Sequence, residues 1–142
     1  MIYDKNIVDG LKNTFFAWAV EKGYSDRISW SGNALSEDKK IAPWFRVYNT
    51  PARPINNFKS AWYQGIFSVD AITTANSGLT LLQTLGGEIM GLYPKGLQTF
   101  NGQDYTIVHC YEEAEETEGS YLILPILIIY RGWIADPQLK GE

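Results

Sequence analysis

The sequence predicts a single α+β domain: a mixed or antiparallel β-sheet packed by two main α-helices, with an extended hairpin. Three observations predict it. Polar and apolar residues alternate through residues 66–72. Apolar residues recur at helical spacing on both sides of that stretch. Runs rich in β-branched and aromatic residues recur at 43–49, 105–111 and 120–133. A chain of 142 residues with 45% hydrophobic composition is one domain by size and can bury a real core.

Residues 61–92 are the hub. Ile66, Ser68, Asp70 and Ile72 point one way along a strand, and Phe67, Val69 and Ala71 point the other. Residues 73–78 break that period with turn chemistry, and Ser77 is placed to cap the next helix. Leu82, Leu85, Ile89 and Leu92 then form a helical stripe with Leu81 beside it. Gly86 lies on the same face, where the missing side chain lets the helix approach a sheet. Gly91, Pro94 and Gly96 end the helix.

Before the hub, Asp4 reads as an N-cap and Ile7, Leu11, Phe15 and Trp18 as the buried stripe of a first helix closed by Gly23. Phe16 and Val20 lie off that stripe and either widen the apolar face or touch a partner. Residues 27–30 form a short strand, and 34–40 a loop or a helical turn. A second strand covers 43–49, with Trp44, Arg46 and Tyr48 opposite Phe45 and Val47. Residues 50–57 carry two prolines and read as the loop of an extended hairpin, exposed over 49–59.

After the hub, residues 97–100, an Asn101-Gly102 turn and residues 105–111 make a hairpin. Residues 120–133 form a long last strand with Pro125 inside it. A proline there places the strand at a sheet edge or at a bulge. As an edge, this strand, with residues such as Tyr121 and Ile123, or the hairpin before it, would carry subunit contact. The domain spans 1–142, with 1–3 and 135–142 expected to fray.

Composition excludes several functions. No run approaches a membrane span, and no basic and then apolar leader opens the chain. One cysteine rules out an intramolecular disulfide and suits a reducing compartment. The net charge of −4 argues against a dedicated nucleic-acid binder. His109 and Cys110 are neighbours on a strand and face opposite sides, so they do not form a nucleophile and base. No spacing suits a metal or a phosphate loop, so no cofactor and no enzymatic activity are expected.

Charge is segregated. Lys39, Lys40, Arg46, Arg53 and Lys59 are the charges between residues 39 and 69, all positive, whereas Glu112, Glu113, Glu115, Glu116 and Glu118 make 112–118 wholly acidic. Such runs are usually solvated surface. The sharper reading has Arg46, Arg53 or Lys59 of one copy meeting the acidic stretch of another.

In element order the chain resembles the tail terminator (tail completion) proteins of long-tailed bacteriophages. The likeness is carried by residues 64–70, by the 75–78 loop leading into the Leu82-Leu85-Ile89 helix, and by 121–131, with the first helix in its place. It extends from about Ile7 to Trp133, and the acidic stretch has no counterpart in the family pattern. The resemblance implies a homo-hexameric ring at the head-proximal end of the tail, assembled in the host cytoplasm. The ring caps the tail tube, stops its polymerisation and offers a surface to a head-completion or connector protein, with DNA only passing through the lumen. The rival readings are a head–tail joining protein and a cytoplasmic small-ligand-binding α+β domain.

Overall fold

The two helical stripes and the alternating strands find each other across one sheet. The computed structural model describes residues 5–31, 33–54, 62–75 and 78–133, with side chains at all of these but 51–54, 62 and 133. The elements are α1 (Lys5–Lys22), β1 (Ile28–Trp30), β2 (Trp44–Pro54), β3 (Trp62–Thr74), α2 (Leu79–Gly91), β4 (Gly96–Phe100), β5 (Gln103–Glu112), β6 (Glu116–Glu118) and β7 (Tyr121–Trp133), with a 3-10 turn at Glu37–Lys39. The sheet runs β1-β2-β3-β7-β5-β4, and β6 also pairs with β7. Only β1 and β2 are parallel; the other pairs are antiparallel, so this is a mixed sheet in an α+β domain.

Both helices lie on one face of the sheet. The α1 stripe of Ile7, Leu11, Phe15 and Trp18 and the α2 stripe of Leu82, Leu85 and Ile89 join Phe45, Val47, Phe67, Val69, Ala71, Leu124, Ile126, Ile128 and Tyr130 in one core. Burying such stripes supplies the main driving force of the fold, roughly 25 cal/mol per Å² of apolar surface. The close approach expected at Gly86 is present: a Cβ there would stand 2.6 Å from Glu112 Oε1 and 2.7 Å from Leu124 Cδ2. The first helix ends as expected at Gly23, with φ of 82°. Phe16 and Val20 are exposed, and the Phe16 ring sits 6.2 Å from that of Trp30. The β4–β5 turn is also as expected, with φ of 51° at Asn101 and 76° at Gly102. Asp4 and Ser77, expected as caps, lie outside the described residues, and Gly78 occupies the N-cap position of α2.

Two expectations are corrected. The last strand is not an edge: β7 pairs with β3 along its whole length on one side and with β5 and β6 on the other. Pro125 is tolerated because it sits at a break between those two. Glu112 pairs with Ile126 and Glu116 with Ile123, leaving residues 113–115 off the ladder. Glu113 N–H still donates to Pro125 O at 2.9 Å, so the carbonyl faces this gap and the absent proline N–H would have faced it too. Pro125 therefore lies neither at an edge nor at a bulge of β7 but opposite the gap where β5 ends and β6 begins.

The second correction concerns residues 50–54, which continue β2 instead of forming a loop. Two residues, Pro51 and Ala52, oppose the single Gly65 in a bulge between Thr50 and Arg53. Residues 55–59, the rest of the expected loop, lie outside the described ones. The hairpin itself is present, since β2 and β3 are antiparallel.

Candidate functional site

Among the described residues no α-helix covers the second face of the sheet. Period-two alternation puts Trp44, Arg46 and Tyr48 of β2, Ile66, Ser68, Asp70 and Ile72 of β3, and Tyr121, Ile123, Pro125, Leu127 and Ile129 of β7 on this side. One end is closed by a small second cluster of Trp44, Ile72 and Ile123, with Leu35 and Tyr121 packed against it. The Tyr121 ring stands edge-on to Trp44 at 5.7 Å, and Lys40 Nζ lies 5.4 Å from the Trp44 ring centre. Farther along, Tyr48 is exposed, and Ile66, Leu127 and Ile129 are half-buried.

A charged chain crosses this face. Arg46 donates to Asp70 Oδ2 from Nη2 at 3.1 Å and from Nε at 3.3 Å, and Tyr48 donates its hydroxyl to Asp70 Oδ1 at 3.4 Å. Asp70 is only 4% exposed. Burial pushes its carboxyl above the usual range, which Arg46 and Tyr48 offset in part. Tyr48 is pushed up in turn, by burial and by the charge of Asp70. Arg46 also reaches Glu118 on β6, Nη1 to Oε2 at 3.7 Å. Three strands are thereby linked by carboxylate, guanidinium and carboxylate.

The residues singled out from sequence separate into groups. Arg46 lies 3.7 Å from Glu118 in the acidic stretch of its own chain. Arg53 lies on β2 opposite Gln64, and Lys59 is outside the described residues. Ile123 is 2% exposed within its own chain and Tyr121 half-buried against Trp44, so neither presents a bare edge. Glu112, Glu113, Glu115 and Glu116 are exposed. Glu116 registers with Ile123, hence with the Ile72 row of β3, whereas Arg53 belongs to the Gln64 row. Eight residues of β3 separate these rows, about 26 Å at a strand's rise. Residues 113–116 and Arg53 thus lie at opposite ends of the strands, with Arg131 donating from Nε to Gln64 Oε1 at 2.8 Å at the second end, while Lys40 and Arg46 lie at the first end and Asp104 of β5 at the second.

His109 and Cys110 diverge as expected. His109 is exposed and stacked on Tyr111 with ring centres 5.4 Å apart, while Cys110 packs towards the core. Burial, aided by Glu112, raises the Cys110 thiol to about 11. Among the described residues no His, Cys, Asp or Glu cluster suits a metal ion, and no helix is long and apolar enough to cross a membrane. Surface hollows lie on both sides of Trp30. One of about 360 Å³ lies along Asp9, Lys12 and Phe16 beside Trp30 and Phe100; the other, about 390 Å³, lies between Ser31, Asn33, Arg46 and Tyr48. Sequence reasoning takes Asp70 as paired or solvated and not catalytic, but does not find Arg46 as its partner. The signal of the pair was available in Arg46 and Asp70, each on the polar side of an alternating strand, but their register was not.

The chain matches no family model and no curated protein. A solved structure known only by a sequence identifier is similar to it with a TM-score of 0.75 and 16% identity, over 96% of this chain and 98% of that chain. The likeness is one of fold. At that identity it extends the α+β architecture to a second protein of nearly equal length and goes no further.

Proposed function

We propose that this chain is a phage tail terminator subunit, a structural protein that forms a ring on the tail tube, stops tube polymerisation and offers the head its attachment surface. The sequence resemblance over residues 7–133 supports the reading. The observation that carries it furthest is the placement of Arg53 and Arg131 at the opposite end of the strands from residues 113–118. A ring closes through heterologous contacts, in which one surface of a subunit meets a different surface of the next. Rows about 26 Å apart, one holding Arg53 and the other Glu116, are suited to that, because these two residues do not reach each other within one chain. The second face, where Tyr48 is exposed and Ile66, Leu127 and Ile129 are half-buried, gives such a contact apolar area beside its charges.

The test is assembly with the cognate tail-tube protein, followed by particle mass and by electron microscopy. Rings on tube ends, and tubes that stop lengthening once the chain is added, are expected. Tubes that keep growing in an excess of the chain, with no ring on their ends, would overturn the reading.

A further inference from the structure

The sheet has two lateral margins, and they differ. At the β1 margin the chain folds back on itself: Asn33 N–H donates to Trp30 O at 2.9 Å and Ser29 Oγ donates to Asn33 O at 3.1 Å. Beyond β1, the margin is continued by β2, which carries Pro51, Pro54 and a bulge. Prolines and bulges are the usual devices that keep an edge from pairing. At the other margin β4 has none of them. Gly96–Phe100 contains no charge and no proline, and among the described residues it pairs with β5 alone. Leu97 on this strand is 70% exposed, more than any other large apolar side chain described.

The backbone direction of β4 follows from its turn. A two-residue turn with positive φ at Asn101 and Gly102 makes Phe100 and Gln103 a hydrogen-bonded pair. Bonded and non-bonded pairs alternate along an antiparallel ladder, so Gln98 with Tyr105 and Gly96 with Ile107 also bond to β5. The N–H and C=O groups of Leu97 and Thr99 therefore point away from the sheet. They form a short, unblocked template for one more strand.

We propose that a second copy of this chain occupies that edge in the free protein, β4 against β4 in antiparallel register about a two-fold axis at Gln98. The strand is self-complementary in that register and its parity is correct. Leu97 opposes Thr99 of the second copy as a hydrogen-bonded pair, and the symmetry repeats it, so all four outward N–H groups find carbonyls. Gln98 faces its own copy as a close non-bonded pair. Phe100 faces Gly96 of the second copy, a position with nothing within 4 Å of where its Cβ would be, and an aromatic ring across from an edge glycine is a known stabilising match. Lys95 opposes Asn101, so no like charges meet. The result is one continuous sheet through two subunits. It uses the lateral edge, not the charged strand ends, and closes on itself. It therefore stands or falls apart from the ring reading.

The experiment is sedimentation velocity of the purified full chain, without tube protein, from low to high micromolar concentration and at low and high salt. A dimer with little salt dependence is expected, since the paired strands are uncharged. Thr99→Pro removes an outward N–H that the subunit itself does not use, together with the exposed Thr99 Oγ1 bond to Asp104 Oδ1 at 2.6 Å, so it should give a monomer with native circular dichroism and a melting temperature that no longer depends on concentration. Gln98→Cys should cross-link rapidly under mild oxidation, and Leu97→Cys and the wild type, whose Cys110 faces the core, should not. A wild-type chain that stays monomeric throughout overturns the proposal and leaves the edge to a strand of another protein. A dimer that survives Thr99→Pro, or cross-linking no faster through Gln98→Cys than through Leu97→Cys, overturns the β4 register.

Discussion

Arg46 holds Asp70 across the β2–β3 ladder, directly opposite it in register, with both Nε and Nη2 on the same carboxylate oxygen. The guanidinium is partly in solvent and the carboxylate is not, with side-chain exposures of 36% and 5%. The two partners therefore contribute unequally: the cost of desolvation falls on Asp70, and Arg46 reduces it.

Stability should consequently depend on pH through Asp70, with a sign opposite to that of an ordinary salt-bridged carboxylate. Burial raises Asp70 above its ordinary value, the nearby Glu116 adds to this, and Arg46 and Tyr48 oppose it. A carboxyl raised on folding binds its proton more tightly in the folded state. Its favourable contribution is present below the unfolded value, about 3.9, and is lost as pH rises through the folded one. Arg46→Met removes the main opposing group and should destabilise by about 1.5–3 kcal/mol at pH 7 and by less at pH 4. Asp70→Asn should flatten this part of the pH profile. Urea unfolding of the three proteins at both pH values decides it, and an equal loss for Arg46→Met at the two would rule the account out.

Gly65 is set against Tyr130 on the neighbouring strand, where a Cβ would run into the ring and its hydroxyl. Tyr130 is fully buried and donates to Asn49 Oδ1 at 3.2 Å, so the ring cannot swing aside without leaving that bond. Gly65→Ala should lose about 1–3 kcal/mol by overpacking, despite alanine's lower conformational entropy in the unfolded chain. Thermal unfolding should show a fall of several degrees in Tm, and an unchanged Tm would mean that β3 and β7 separate easily here.

The Cys110 thiol should be slow to react in the native protein. At about 11 against an ordinary 9.0, its thiolate fraction near neutral pH is about a hundredfold lower. Alkylation by iodoacetamide should be correspondingly slow in the folded chain and rise to the rate of a free thiol in denaturant. Fast labelling under native conditions would place Cys110 at the surface.

Much of this fold was legible because local chemistry and tertiary packing agree. The stripe from Ile7 to Trp18, the alternation from Ile66 to Ile72 and the Asn101-Gly102 turn each state one structure only, and each is found. What failed depended on partners distant in sequence. Pro125 carries the same local signal at an edge and at a ladder break, and only the pairing of β5 and β6 with β7 distinguishes them. Pro51 and Pro54 read as loop residues, yet β3 holds their strand through a bulge. The same limit applies to the charges. The sequence shows two runs of opposite sign, but the register puts Arg46 beside Glu118 of its own chain and Arg53 at the far end of the strands.

That separation makes the charge contact testable. We propose that Arg53 and Lys59 of one subunit approach residues 112–116 of the next, Arg46 being already engaged within its own chain. Exposed pairs contribute only about 0.2–1 kcal/mol each, so several together shift assembly without altering the fold of a subunit. Arg53→Glu with Lys59→Glu should weaken ring formation at low salt and leave thermal unfolding of the free chain unchanged. Adding Glu113→Lys and Glu115→Lys to the same chain should restore part of the assembly, because the contact is rebuilt with its signs exchanged. High salt should level the variants with the wild type, since screening removes the contribution that distinguishes them. If the reversed-charge chain assembles like the wild type across ionic strength, the two stretches do not meet, and the acidic stretch faces solvent or the lumen.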